Sequence, residues 1–153
     1  FLGLAPEQIQ GFGLGVMAAR ARFCAREMGL PPEDIRVYGP HGAGLVAANA
    51  PDAGYDSDAS AALTAATRDM NLRVRALGFK PYLAPGLSSA AVSILQLLRG
   101  REHFGAVPLG GVYFGCRSRM TRLGPQICRE PLAEPLQERI AAAFRELEDF
   151  SDA

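Results

Sequence analysis

The chain is 153 residues long, 48% hydrophobic and 21% charged, with sixteen basic and sixteen acidic residues in balance. That length and apolar content suit one folded domain and exclude a disordered chain. Zero net charge and the lack of tryptophan argue against a nucleic-acid surface, and no apolar run approaches the roughly twenty residues that cross a bilayer.

The opening FLGLAPEQIQ has no initiator Met and no signal-peptide pattern, so the chain is expected to begin in mid-protein. GFGLGVMAARARFCAREMGLPP reads as a helix entered through glycines and stopped at Gly29 and the Pro31–Pro32 pair. Met17, Phe23, Cys24 and Met28 recur at helical spacing. Arg20 follows Met17 by one turn on the same face, whereas Arg22 lies on another. The GFGLG entry has two readings, a phosphate-binding loop or a helix entry that permits close backbone approach. It lacks the later glycine of the dinucleotide fingerprint and an apolar strand before it, which weighs against the first.

DIRVYG and GLVAANA read as short strands. Between them GPHGAG sets His41, one of only two histidines, in a glycine-flanked turn. It is either an incidental polar turn residue or an acid/base group held where backbone and substrate meet. Ser57 or Asp58 is expected to cap the long helix ASAALTAATRDMNLRVRAL, which Gly78 ends. KPYLAPGLS is irregular, and SSAAVSILQLLRG is a third helix, apolar on most sides and expected to be buried. Glycine-punctuated strands fill 104–132, and AEPLQERIAAAFRELEDF closes as an amphipathic helix with Leu136, Ile140, Phe144 and Leu147 on one face. This order predicts an α+β domain, with one twisted, mainly antiparallel sheet supplied by segments around 34–49 and 104–132. Cys24, Cys116 and Cys128 show no metal-site spacing and read as reduced core thiols of a cytoplasmic protein, in preference to a disulfide or zinc set.

In their order and spacing these segments resemble the C-terminal, catalytic domain of the lactate and malate dehydrogenases. GLAPEQIQGFGLGVMAARARF resembles the entry to that domain's arginine-bearing helix, and VYGPHGAGLV its catalytic histidine turn. GFKPYLAPGLSSAAVSIL is similar to the segment lining the substrate pocket, GVYFGC to a Gly-Tyr-Tyr-Gly strand, and PLAEPLQERIAAAFREL to the closing helix.

The resemblance implies that residues 1–153 are a single substrate domain of an NAD-dependent 2-hydroxyacid dehydrogenase. His41 would be the proton donor and acceptor, and Arg20 would bind the substrate carboxylate. NAD would be bound mainly by an N-terminal nucleotide-binding domain absent from this chain, so the fragment alone is not expected to turn over substrate. The substrate would be a small 2-hydroxy or 2-oxo acid, and the protein a homodimer or tetramer with the first helix in a two-fold interface. Lys80 stands near a pocket-lining position of the family and is either a pocket residue or a snorkelling surface lysine. The chain departs from the family at Met17, where an aspartate orients the imidazole, and at Pro40 and Ala43, where the family carries acids. These departures support the alternative of a catalytically decayed homologue that serves oligomerisation or ligand sensing.

Overall fold

A computed structural model describes residues 3–80 and 88–151. After a single 3-10 turn at Pro6–Gln8, the elements run α1 (Gly13–Glu27), β1 (Arg36–Tyr38), β2 (Val46–Ala48), α2 (Ser57–Ala76), α3 (Ala90–Leu98), β3 (His103–Leu109), β4 (Val112–Thr121), β5 (Gly124–Ile127) and α4 (Glu134–Ser151). The predicted α+β, antiparallel architecture holds, but the strands form two sheets where the sequence suggested one. β1 pairs only with β2, while β3, β4 and β5 form a separate antiparallel sheet. β1 and β2 have three residues each, and a backbone bond from the Gly39 N–H to the Gly115 carbonyl (2.9 Å) joins the two sheets.

The first core cluster joins Leu14, Met17, Ala21 and Cys24 of α1 to Ile35, Val37, Ala47 and Leu63. Small side chains on α1 let the helix lie close to its neighbours, and Gly29, at φ 73°, ends it in the left-handed conformation expected of a helix stop. The second cluster sets Leu136 and Ala143 of α4 against Tyr38, Val107 and Phe114. Leu136, Ile140, Phe144 and Leu147 face it as the periodicity predicted. Cys24 and Cys116 are buried and Cys128 is half-buried.

Two local expectations need correction. Asp56, not Ser57 or Asp58, caps α2: its Oδ1 accepts the Ala59 N–H at 2.7 Å. Asp56 has the extended backbone an N-cap requires, whereas Ser57 and Asp58 already lie inside the first turn, where Asp58 complements the helix dipole. The other is α3, which is not buried. Ser93 is its only buried residue, and Val92, Leu95 and Leu98 are 58%, 51% and 74% exposed. One side of α3 packs on α1 and β3, and none of the described elements covers the other.

Candidate functional site

A row of small residues runs across the three-stranded sheet and fixes two loops at once. Gly11 pairs with Ala106 of β3, Ala106 lies opposite Gly115 of β4, and Gly115 accepts the Gly39 N–H. Gly11 stands two residues before the start of α1, and Gly39 two residues before His41. The row thus carries the helix entry and the histidine turn side by side. Each position needs a small residue. A Cβ on Gly115 would strike the Gly39 carbonyl and approach the Leu14 side chain to 3.0 Å. Gly39 itself holds φ 88°, and a Cβ there would meet the Gly44 carbonyl at 2.5 Å.

His41 meets α1 at Gly13. A Cβ at Gly13 would lie 3.4 Å from the His41 Cβ and 3.5 Å from its Cδ2, ordinary van der Waals separations, so the imidazole stands over Gly13 with room for a methyl group between them. The histidine is otherwise exposed, and no hydrogen bond or ion pair engages it among the described residues. Gly13, Met17 and Arg20 follow one another at i, i+4 and i+7 on one helix face. Arg20 lies roughly 10 Å further along the axis at 1.5 Å per residue, with its side chain inclined toward the N-terminal end. It is half-buried and has no carboxylate partner among the described residues. Burial lowers its pKa from the ordinary arginine value, and nearby Cys24 opposes that shift. Met17, between them, is 2% exposed and belongs to the core, so no carboxylate on α1 faces the imidazole.

Lys80 is exposed and borders residues 81–87, the segment expected to line a pocket, which lie outside the described residues. Nothing in the described structure brings Lys80 to His41 or Arg20. The three glycines of GFGLG are occupied by packing: Gly11 against Ala106, Gly13 against His41 and Gly15 beneath the Ser93 hydroxyl. The tight contacts at Gly11 and Gly15 support the close-approach reading of that stretch.

Other features escaped the sequence reading. Arg22, on the opposite face of α1, stacks over the Phe104 ring at 5.5 Å and lines a cavity of about 540 Å³ between α1 and α3. Burial, and then repulsion from Arg36, lower the Arg22 pKa. Glu130 gathers Arg36 Nε at 3.0 Å, Arg117 Nη2 at 3.0 Å and Tyr38 Oη at 3.2 Å, tying β1 to β4. Arg139 of α4 donates to Tyr55 Oη and Ser60 Oγ at 2.8 and 2.6 Å. All these partners are more than seventy positions apart except Arg117 and Glu130, too far for local patterning to pair them.

No protein-family model and no curated protein matches the sequence. Solved structures do match the fold. A lactate dehydrogenase from a Medee basin deep-sea metagenome library superposes with TM-score 0.74 at 16% identity, over 98% of this chain and 56% of that one. Malate dehydrogenase from Plasmodium falciparum gives 0.69 at 16% identity, over 97% and 56%. The Archaeoglobus fulgidus malate dehydrogenase in complex with NADH gives 0.67 at 14%, over 88% and 49%. The chain therefore has the fold of the C-terminal domain of lactate and malate dehydrogenases, and it spans about half the length of the structures it matches.

Proposed function

We propose that this chain is the substrate-binding domain of an NAD-dependent dehydrogenase for a small 2-hydroxy or 2-oxo acid. One observation carries the reading: His41 stands over Gly13, at the head of the helix face that bears the half-buried Arg20, which has no carboxylate partner among the described residues. A guanidinium shielded from water and lacking an internal partner suits a ligand carboxylate, which it grips through two parallel hydrogen bonds. With the carboxylate at Arg20, the hydroxyl of a short acid extends toward His41, whose imidazole accepts the hydroxyl proton during oxidation and returns it to the carbonyl oxygen during reduction. Anchoring the carboxylate away from the reacting carbon sets its orientation.

NAD, when bound, supplies or accepts the hydride. The GFGLG entry does not fit it, because Gly11 and Gly15 are filled by packing and the third glycine of the dinucleotide fingerprint is lacking, so the dinucleotide is assigned to a nucleotide-binding domain outside this chain. We place the protein in the cytoplasm as a homo-oligomer, in keeping with its buried thiols and the apolar outer face of α3. No helix among the described residues is long and apolar enough to cross a membrane.

The test is direct binding of pyruvate, oxaloacetate and malate to the 153-residue chain, followed on the His41 ring resonances. Saturable shifts are expected, and Arg20→Gln should weaken binding about 10- to 100-fold, the value of a charge-assisted hydrogen-bonded pair. In the full-length protein, His41→Asn should lower turnover about 10²- to 10⁴-fold. Shifts unaffected by Arg20→Gln would remove the arginine's role. Binding without turnover in the full-length protein would leave a ligand-sensing domain.

A further inference from the structure

Two adjoining cavities open between α4 and the β3–β4 hairpin, with volumes of about 340 and 480 Å³. They share Leu109, Phe114, Leu132 and Ile140, so they form one elongated groove. Cys116 and Ile127 close the first end and Phe144 the second. The groove exists because α4 only partly settles on the sheet. Of its eighteen residues only Leu136 and Ala143 are buried, while Ile140, Phe144 and Leu147 are half-buried and Leu109 across from them is 40% exposed.

Each cavity carries a basic residue. Arg129 lines one cavity and Arg145 the other, and neither has an acidic partner among the described residues. Glu130, the only acid among the described residues on the walls, is engaged by Arg36, Arg117 and Tyr38. An open apolar groove with an unpaired guanidinium on each of its two cavities matches an aliphatic chain that ends in a carboxylate. A sugar-like ligand would leave its own hydroxyls unpaired against these walls.

We propose that this groove binds a medium-chain free fatty carboxylate, its tail along Leu109, Phe114 and Ile140 and its head at Arg145 or Arg129. The site is separate from His41 and does not depend on the dehydrogenase reading. It is tested by calorimetric titration of the 153-residue chain with hexanoate, octanoate, decanoate and dodecanoate below their micelle concentrations. Affinity should rise about fourfold per added methylene until the groove is full and then level off. Ala141 lines the groove from an exposed position on α4, so Ala141→Trp should fill it without disturbing the core. That variant should keep its circular dichroism and lose decanoate binding at least tenfold. Leu109→Trp serves as the second blocking variant. Decanol should bind about tenfold more weakly than decanoate, and the joint Arg129→Gln and Arg145→Gln variant should erase that preference. The proposal is overturned by an absence of saturable binding, by binding that survives both tryptophan variants, or by equal affinity for decanol. Association with phosphatidylglycerol vesicles but not with free decanoate would also overturn it, in favour of a membrane surface.

Discussion

Met17 shows how a single residue sets the chemistry of the histidine face. Methionine fills a core position at 2% exposure, so an acid placed there would lie among Leu14, Ala21 and Ile35 instead of in an open site. Met17→Asp should therefore destabilise the protein by at least about 3 kcal/mol, combining lost apolar burial with an ill-solvated charge. Met17→Leu should cost less than about 1.5 kcal/mol. Urea unfolding separates the two, and a well-tolerated aspartate would show that the imidazole reaches it. The roles of His41 and Arg20 were suggested by the order of motifs around them, because a histidine in a turn and an arginine on a helix have bland readings when taken alone. The meeting of His41 with Gly13 was hidden: the two are 28 positions apart, and helical periodicity does not encode such a contact.

At the level of elements, the helices and most strands were legible because each carries its own period and stop signals, whereas the neighbours they meet do not appear in local sequence. That is why α3, apolar on most sides, was misread as buried, and why one sheet was expected where there are two. The same limit hid the glycine row. Gly115→Ala would push a Cβ into the Gly39 carbonyl and against Leu14, a backbone clash that no rotamer relieves. We expect a loss of about 1–3 kcal/mol, the usual range for overpacking, together with displaced His41 resonances. An unperturbed His41 signal in a destabilised variant would show that the row supports the sheet alone. Glu130 joins elements by charge in the same way. Replacing it with glutamine leaves Arg36, with its side chain 15% exposed, without its counter-charge, and Arg117, 23% exposed, with only Glu102 at 3.5 Å. Because both retain some solvent, the expected cost is about 2–3 kcal/mol, below the 3–5 kcal/mol typical of a fully buried pair. Guanidinium unfolding of Glu130→Gln checks this value, and a change below 0.5 kcal/mol, the ordinary range of a surface substitution, would make the cluster a surface feature.

For the molecule as a whole, the joint between the chain ahead of α1 and the three-stranded sheet contains a buried titratable group. His103 of β3 is 4% exposed, with Nδ1 3.2 Å from the Arg101 carbonyl and Nε2 3.4 Å from Gln10 Oε1. The Phe12 ring lies 6.1 Å from the imidazole, centre to centre. Burial lowers the His103 pKa from its ordinary value, and the Arg101 carbonyl only partly opposes the shift. In the unfolded chain the ring returns to a pKa of about 6.5 and takes up a proton that the folded protein resists. The resulting stability is fully present above about pH 6.5 and is lost as the pH falls through the lower folded value. Urea midpoints measured from pH 7.5 down to 5 should therefore decline, and His103→Gln, which cannot titrate, should flatten the decline. Gln10 and Phe12 flank Gly11 in the row that carries the α1 entry, so protonating His103 should loosen that entry before the sheet itself opens. Hydrogen exchange at Gly11 and Ala106, whose amides bond across this joint, should then accelerate on acidification more than exchange within β4, after correction for intrinsic rates. Equal acceleration at all these amides would mean that acid acts on global stability through other groups, and that His103 is an ordinary core residue.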